Sequence, residues 1–183
     1  MRPEFTLAVA ATEDGFIARH PGHAPADWCS PEEQALFLAE VDAADWSVMG
    51  RGTHEAADKP HRRRIVFSSA APAPEWRRPT QLWLDPAGRA PDDLARLVAP
   101  LRPLRHGLIL GGTAVHGWFH DAGRIDRVLL TVEPVTFGAG LPVFPGHAGP
   151  ADAVLAALGY GLRDSRTLNA RGTRLLTFAP AAA

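Results

Sequence analysis

The stretch 108–115 constrains the fold more than any other part of the chain. Its branched aliphatic start predicts a short buried parallel strand. Gly111 and Gly112 then break the strand, and residues 113–121 resume with the apolar spacing of a helix, with Val115, Trp118 and Phe119 on one face. A strand, a glycine turn and a helix together present free backbone N–H groups to a phosphate. A plain tight turn is the alternative interpretation of the glycine pair.

A second unit of the same kind lies upstream and supports the phosphate-binding interpretation. Residues 45–49 predict a short strand, and a helix is expected to follow through residue 57. An arginine lies in the turn between them, and a guanidinium binds phosphate through a planar pair of N–H groups. This turn consists of Gly50, Arg51, Gly52 and Thr53.

The remaining periodicities predict a three-layer α/β fold, in which a mostly parallel sheet ends in a C-terminal antiparallel hairpin. We expect one domain over residues 1–183. Ser30 is the expected N-cap of a helix over 31–44, whose inward face would carry Leu38, Val41 and either Leu36 or Phe37. Further strands are expected at 5–11, 62–69, 80–84 and 125–132, a helix at 91–101, the hairpin at 158–168 and 174–178, and irregular connections at 70–79 and 133–145.

Charge and composition argue against several classes of protein. The formal net charge of -1 gives no global field that would favour nucleic acid or an anionic membrane. Cys29 is the single cysteine, so we expect no internal disulfide and a reducing, cytoplasmic compartment. No apolar run approaches the length of a membrane span. His116 and His120 have the spacing of two ligands on a helix, but no third ligand is apparent, so no metal is expected.

Several motifs occur in a fixed order: AATEDGFIA at 10–18, VMGRGT at 48–53, IVFSS at 65–69, LGGT at 110–113, IDRVLLTVEPV at 125–135 with FGAG at 137–140, and NARGT at 169–173. Together they resemble the dihydrofolate reductase superfamily over nearly the whole chain. Within it, residues 110–144 resemble the reductase domain of bacterial riboflavin biosynthesis. Trp28, Pro31, Glu33 and Phe37 instead resemble the pterin pocket of the folate enzymes. The zinc deaminase domain that often precedes the riboflavin reductase is not expected, because its His-x-Glu and Pro-Cys-x-x-Cys motifs do not occur.

The resemblance implies an NADPH-dependent oxidoreductase that transfers hydride to a C=N-type bond of a pyrimidine- or pterin-like small molecule, in the manner of a 5-amino-6-(5-phosphoribosylamino)uracil reductase. A dihydrofolate or dihydropterin reductase and a non-catalytic NADPH-binding protein remain as alternatives. A homodimer is also implied, with neither nucleic acid nor membrane as partner. The residues implied for the pyrophosphate are Gly111, Gly112, Thr113 and Ala114, and those for the adenosine-side phosphates are Gly50, Arg51, Gly52 and Thr53. Ser68 and Ser69 are implied for the 2′-phosphate, with Arg51 or a nearby arginine neutralising its charge. Ala10, Ile17 and Ala18 are implied for the nicotinamide.

The implied substrate-binding residues are Trp28, Glu33, Phe37 and Arg62, although the three arginines 62–64 fit a solvated strand entry equally well. Hydride transfer to a C=N bond leaves a nitrogen that needs a proton. A half-buried carboxylic acid with a raised pKa can supply it, and Glu33 is the candidate, with Thr131 orienting its carboxylate. The alternative is structural, because Ser-Pro-Glu-Glu is typical of a helix N-terminus and Glu33 would then complete a capping box.

Overall fold

Strand β1 (Glu4–Thr12) lies inside a nine-stranded sheet in the computed structural model, which describes residues 2–181. The other strands are β2 (Phe16–Ala18), β3 (Trp46–Gly50), β4 (Arg64–Phe67), β5 (Glu75–Arg78), β6 (Gln81–Leu84), β7 (His106–Gly111), β8 (Arg127–Glu133), β9 (Leu141–Pro142), β10 (Tyr160–Thr167) and β11 (Arg174–Pro180). The helices are α1 (Pro31–Ala43), α2 (Arg51–Ala56), α3 (Pro91–Val98), α4 (Thr113–Asp121) and α5 (Ala151–Ala157), with a 3₁₀ turn at Pro25–Asp27.

The sheet has the order β10-β11-β8-β1-β7-β3-β4-β6-β5. The strands from β8 to β6 in this order are parallel to one another. At one end β11 and β10 add an antiparallel pair, and at the other end β5 is antiparallel to β6. The predicted fold class, a mostly parallel α/β sheet with a C-terminal antiparallel hairpin, is therefore confirmed.

Helices cover both faces of the sheet because the crossover connections run in opposite directions. The connection from β1 through α1 to β3 moves toward β5, whereas the one from β7 through α4 to β8 moves back across β1. Crossovers of this kind are right-handed, so α1 and α4 lie on opposite faces. The α4 face is the main core, where Phe119 packs on Phe5 at 4.8 Å between ring centroids and stacks on Phe67 at 6.4 Å.

Helix α4 matches its prediction at both ends, and Val115 and Phe119 are buried as expected. Helix α1 also begins as predicted, with Ser30 as its N-cap. Its expected inward face is wrong in one respect, because 49% of the Leu38 surface is exposed. The inner side of α1 forms the wall of a pocket and buries Glu33 instead.

Three elements lie where the sequence predicted irregular structure or none. Strand β5 lies within 70–79, and its mostly exposed residues Glu75–Arg78 show no apolar alternation. The two-residue strand β9 lies within 133–145 and pairs with β2. Helix α5 has only seven residues, which is too few for a clear periodicity. Within residues 2–181 no helix has the length and apolar character needed to cross a membrane.

Candidate active site

The carboxyl ends of β3, β4 and β7 meet at one edge of the sheet. Gly50 at the end of β3 is level with Phe67 of β4, and Met49 is level with Gly111 of β7. The segments that follow these strands therefore lie side by side at this edge. In this way the structure brings together predicted cofactor residues from three separate parts of the chain: 50–53, 68–69 and 111–114.

The glycine pair after β7 forms a shallow space at the start of α4. Gly111 has a φ of +106°, and a Cβ there would lie 2.8 Å from Nε2 of His116. Gly112 is the N-cap of α4, and a Cβ on it would approach only the Thr53 hydroxyl, at 3.9 Å. The peptide bond between the two glycines is cis. The missing side chain of Gly112 thus leaves the start of α4 open toward α2, whereas that of Gly111 makes room for His116.

This space has the properties that a pyrophosphate requires. The first turn of any helix leaves backbone N–H groups without an intrahelical acceptor, and in α4 these belong to Thr113 and Ala114. They carry the positive end of the helix dipole, which favours an anion. Arg51 adds an exposed guanidinium next to the same edge, 3.9 Å from Glu55. The residues present therefore fit a dinucleotide.

The serines predicted for the 2′-phosphate lie directly after β4. Ser68 is buried, and its hydroxyl accepts a hydrogen bond from the Ala70 N–H at 3.2 Å. Ser69 is exposed. Because β4 is the neighbour of β3, both serines lie beside the turn that carries Arg51.

The predicted nicotinamide wall is connected to α4 through β9. Ala10 and Ala18 are buried and Ile17 is half-buried. Strand β2, which contains Ile17 and Ala18, pairs with β9. The Thr113 hydroxyl in turn donates to the carbonyl of Pro142 in β9 at 2.6 Å. The pyrophosphate end and the nicotinamide end of the candidate site are therefore held by one continuous set of contacts.

His116 supports the glycine turn from below, a role that sequence reasoning missed. Its Nδ1 lies 2.7 Å from the carbonyl of Val143 and donates to it. Burial lowers the pKa of His116 to about 4, so the ring is neutral at physiological pH. The only sequence signal for His116 was its spacing from His120. Within residues 2–181 no group of three His, Cys, Asp or Glu side chains is arranged to hold a metal.

A pocket of about 330 Å³ lies between α1 and the strands β1, β8, β10 and β11. Three predicted substrate or catalytic residues line it, namely Glu33, Phe37 and Thr131. Trp28 lies just before α1, half-buried, and packs edge-on against Phe137 at 5.1 Å. Its indole Nε1 is buried and has no acceptor within the described residues. Thus α1 and β8 supply an acid, a hydroxyl and an aromatic ring to one pocket.

The Glu33 carboxylate does not complete a capping box. The Glu33 N–H donates to the Ser30 hydroxyl at 3.3 Å, which is the expected first half of the box. The Ser30 N–H, however, donates to Glu133 at 2.7 Å rather than to Glu33. The capping-box alternative for Glu33 is therefore wrong, because Glu133 of β8 accepts the Ser30 N–H.

Glu33 is 6% exposed, and burial is the main cause that raises its pKa, to about 7. The negative charge of Glu133 acts in the same direction. Hydrogen bonds from Gln34, at 2.9 Å, and from the Cys29 thiol only partly offset these effects. Burial also raises the pKa of the Cys29 thiol, with the two carboxylates adding to the effect, so this cysteine stays protonated. Glu33 is thus a carboxyl group that both holds and releases a proton near neutral pH.

Residues 3–159 match the model of the RibD C-terminal domain. The chain belongs to this family. RibD C-terminal domains are reductase domains of riboflavin biosynthesis, so the predicted resemblance and the predicted oxidoreductase class are confirmed. A nicotinamide cofactor follows from the family. No curated protein matches the chain in sequence.

Three solved structures share the fold of this RibD C-terminal domain. One is from Thermotoga maritima, a diaminohydroxyphosphoribosylaminopyrimidine deaminase/5-amino-6-(5-phosphoribosylamino)uracil reductase, with a TM-score of 0.72 and 18% identity. The match covers 98% of this chain and 57% of the Thermotoga chain. A putative riboflavin biosynthesis protein from Shewanella sp. PV-4 scores 0.70 at 18% identity, with 100% of both chains covered. Enterococcus faecalis dihydrofolate reductase, complexed with NADP(H) and RAB-propyl, scores 0.65 at 16% identity over 98% and 97%. The chain thus spans little more than half of the Thermotoga protein.

Arg62 is the one predicted site residue that the structure places elsewhere in this RibD C-terminal domain. It precedes β4, at the amino ends of the parallel strands, and forms an ion pair with Asp42 near the end of α1. The glycine turns and Glu33 lie toward the carboxyl ends. The alternative interpretation, a solvated strand entry, describes Arg62 better.

The raised pKa of Glu33 predicts that this side chain destabilises the fold at alkaline pH. Its folded pKa of about 7 exceeds the unfolded value of 4.5, so the folded state binds more protons between these values and loses stability as the pH rises through them. Glu33→Gln removes the charge and keeps the shape. We expect it to raise the free energy of unfolding at pH 8.5 by up to about 3 kcal/mol and to change it little at pH 4.5.

Urea denaturation of the parent and the variant at both pH values measures this difference. Glu32→Gln is the matched control, because Glu32 lies in the same turn but is exposed and hydrogen-bonded to Asn169. It should give no gain at pH 8.5. An equal effect of Glu33→Gln at the two pH values would contradict the raised pKa.

Proposed function

We propose that the chain is a single reductase domain that uses NADPH to reduce a C=N-type bond in a ribosylaminopyrimidine, with Glu33 as the proton donor. The observation that carries this proposal is the position of a buried carboxyl group with a pKa of about 7 in a pocket beneath α1. A homodimer and a cytoplasmic location are part of the proposal and rest on the resemblance alone.

The cofactor half of the site consists of the two glycine turns. Gly112, with the N–H groups of Thr113 and Ala114, would hold the pyrophosphate, and residues 50–53 would contact the adenosine-side phosphates. Ser68, Ser69 and Arg51 would bind the 2′-phosphate. NADPH, when bound, supplies the hydride. Ala10, Ile17 and Ala18 would exclude water from the nicotinamide face.

The substrate half of the site supplies the proton. As carbon accepts hydride, the nitrogen of the C=N bond gains basicity and takes the proton from the Glu33 carboxyl group. Glu33 is left as a carboxylate and regains a proton from water through the open side of the pocket. Thr131 lines the same pocket, but the described contacts of the Glu33 carboxyl group are with Gln34 and Cys29. Thr131 is therefore proposed to contact the bound substrate rather than to orient the Glu33 carboxylate.

A dihydropterin reductase is the second candidate. It is favoured by Trp28, whose buried Nε1 has no acceptor within residues 2–181, because this donor is free to bind a polar heterocycle or a water next to it. Phe37 adds an aromatic wall to the same pocket. Assays of NADPH oxidation with a ribosylaminopyrimidine and with dihydrofolate, side by side, separate the two candidates. Cofactor binding without turnover of either would support a non-catalytic protein.

We expect a side chain at position 112 to weaken cofactor binding without disturbing the fold. In Gly112→Val the new side chain would occupy the gap between the starts of α4 and α2, where a Cβ meets no atom closer than 3.9 Å. The apo protein should therefore fold normally and bind NADPH at least tenfold more weakly, which fluorescence titration measures. Gly161→Val, on β10, is the control and should bind as the parent does. Parental affinity in Gly112→Val would place the phosphate site elsewhere.

We expect Arg51 to determine the preference for NADPH over NADH. We expect NADPH to bind more tightly than NADH by about 1–3 kcal/mol, the scale of charge-assisted hydrogen bonds. Arg51→Gln should remove most of this difference by weakening NADPH binding much more than NADH binding. Arg96→Gln, a neutralisation of an exposed arginine in α3, should leave both dissociation constants unchanged. Equal affinities for the two cofactors in the parent protein at low salt would contradict the assignment.

We expect Glu33→Gln to lose turnover and to keep its affinity for NADPH. The amide cannot donate a carboxylic proton, so turnover should fall by roughly two to four orders of magnitude. NADPH affinity should stay within twofold. The parent should also lose activity as the pH rises through about 7, where Glu33 ionises, and the residual activity of the variant should lack this dependence. Full turnover in Glu33→Gln would refute the acid role.

A further inference from the structure

Glu133, at the carboxyl end of β8, is a buried carboxylate that the proposed reaction does not use. It is 1% exposed. One oxygen accepts the Ser30 N–H at 2.7 Å, and the other accepts the Thr173 hydroxyl at 2.7 Å. Across residues 2–181, no lysine, arginine or histidine nitrogen lies within 4.0 Å of it. Burying a carboxylate without a cation is costly, so two neutral donors alone compensate for it.

The two donors belong to segments that are far apart in the sequence. Ser30 is the N-cap of α1, and Thr173 follows the turn between β10 and β11. The turn itself is fixed by Asn169, whose amide donates to the Thr173 hydroxyl at 3.0 Å. Asn169 also donates to Glu32 in the first turn of α1 at 3.1 Å. Glu133 thus connects α1 to the C-terminal hairpin through two buried hydrogen bonds.

We propose that Glu133 is a positioning residue of the reductase: it fixes the first turn of α1 through Ser30 and keeps a second carboxylate beside Glu33. The inference rests on the proposed function, because it matters to turnover only if Glu33 is the proton donor.

The division of roles follows from the hydrogen bonds of the two side chains. The two described partners of the Glu133 side chain each donate a hydrogen bond to one of its oxygens. Glu33 receives only the Gln34 amide and the weakly donating Cys29 thiol. Two carboxylates in one buried region disfavour each other's charge, and the less well solvated one keeps its proton. Here that residue is Glu33, the one that lines the pocket.

The other charged groups around Glu33 do not replace Glu133 in this effect. Glu32 is exposed and bound to Asn169, and Glu40 forms an ion pair with Arg127 at 3.2 Å. Strand β10 adds Asp164 and Arg166, which are exposed and of opposite sign. The pocket residues of β1 and β11 are uncharged: Ala8, Val9, Leu175 and Thr177.

The test is Glu133→Gln, which can still accept from Ser30 and donate to Thr173 but carries no charge. Titration of the parent and the variant, labelled with ¹³C at the glutamate carboxyl carbon, reads the Glu33 carboxyl directly, and Glu33→Gln assigns its signal. We expect the midpoint of Glu33 to fall by about one unit. The decline of kcat with rising pH should move by the same amount, so that kcat at pH 8.5 falls about tenfold while the NADPH dissociation constant is unchanged.

Glu32→Gln is the matched control, since it removes a carboxylate from the same helix turn and should leave the Glu33 midpoint in place. An unchanged midpoint in folded Glu133→Gln would overturn the inference. If Glu133→Gln does not fold, Glu133→Met gives the answer, because it also removes the second carboxylate and should also lower the Glu33 midpoint. The proposed function fails separately, by full turnover in Glu33→Gln, whatever the titration shows.

Discussion

Backbone hydrogen bonding between six parallel strands is the constraint on which the rest of the site depends. It aligns the carboxyl ends of β1, β3, β4, β7 and β8 at one edge of the sheet. The crossovers leave this region in opposite directions, through α1 toward β3 and through α4 toward β8. Such a switch point opens a crevice at the carboxyl ends of the strands, where α/β proteins bind ligands. Local chemistry, such as the glycines after β7, then acts on a crevice that the topology has already made.

Much of this arrangement could be predicted from the sequence where the signal is local. The apolar spacing of α4 and the glycines before it gave both ends of that helix, and Ser30 marked the start of α1. The predictions failed where the decisive contact is distant. The partner of the Ser30 N–H is Glu133, 103 residues away, whereas sequence spacing offered only Glu33, three residues on, as an alternative. The prediction for Leu38 failed for a related reason, because periodicity finds an apolar position but not which side of the helix faces a pocket.

Ionisation of Glu33 lowers the stability of the fold, so the start of α1 depends on other interactions. A buried carboxyl group with a raised pKa weakens the fold above neutral pH, so the first turn of α1 must be held by other interactions. The hydrogen bonds from Ser30 and Thr173 to Glu133 provide these interactions within the buried region. The same carboxylate that stabilises the helix start opposes the ionisation of Glu33. One carboxylate thus contributes both to the stability of the helix start and to the proton affinity of Glu33, although burial contributes most to the latter.

The irregular segment 133–145 connects this interaction to the cofactor half of the site. It begins at Glu133, and its middle is held by Asp14, whose carboxylate accepts the Gly138 N–H at 2.7 Å. Its end supplies the carbonyls of Pro142 and Val143 to Thr113 and His116 of α4. Regular structure would have paired these backbone groups with one another. These backbone groups are instead bound by Asp14 and by α4, so one length of chain connects the end of β8 to the glycine turn.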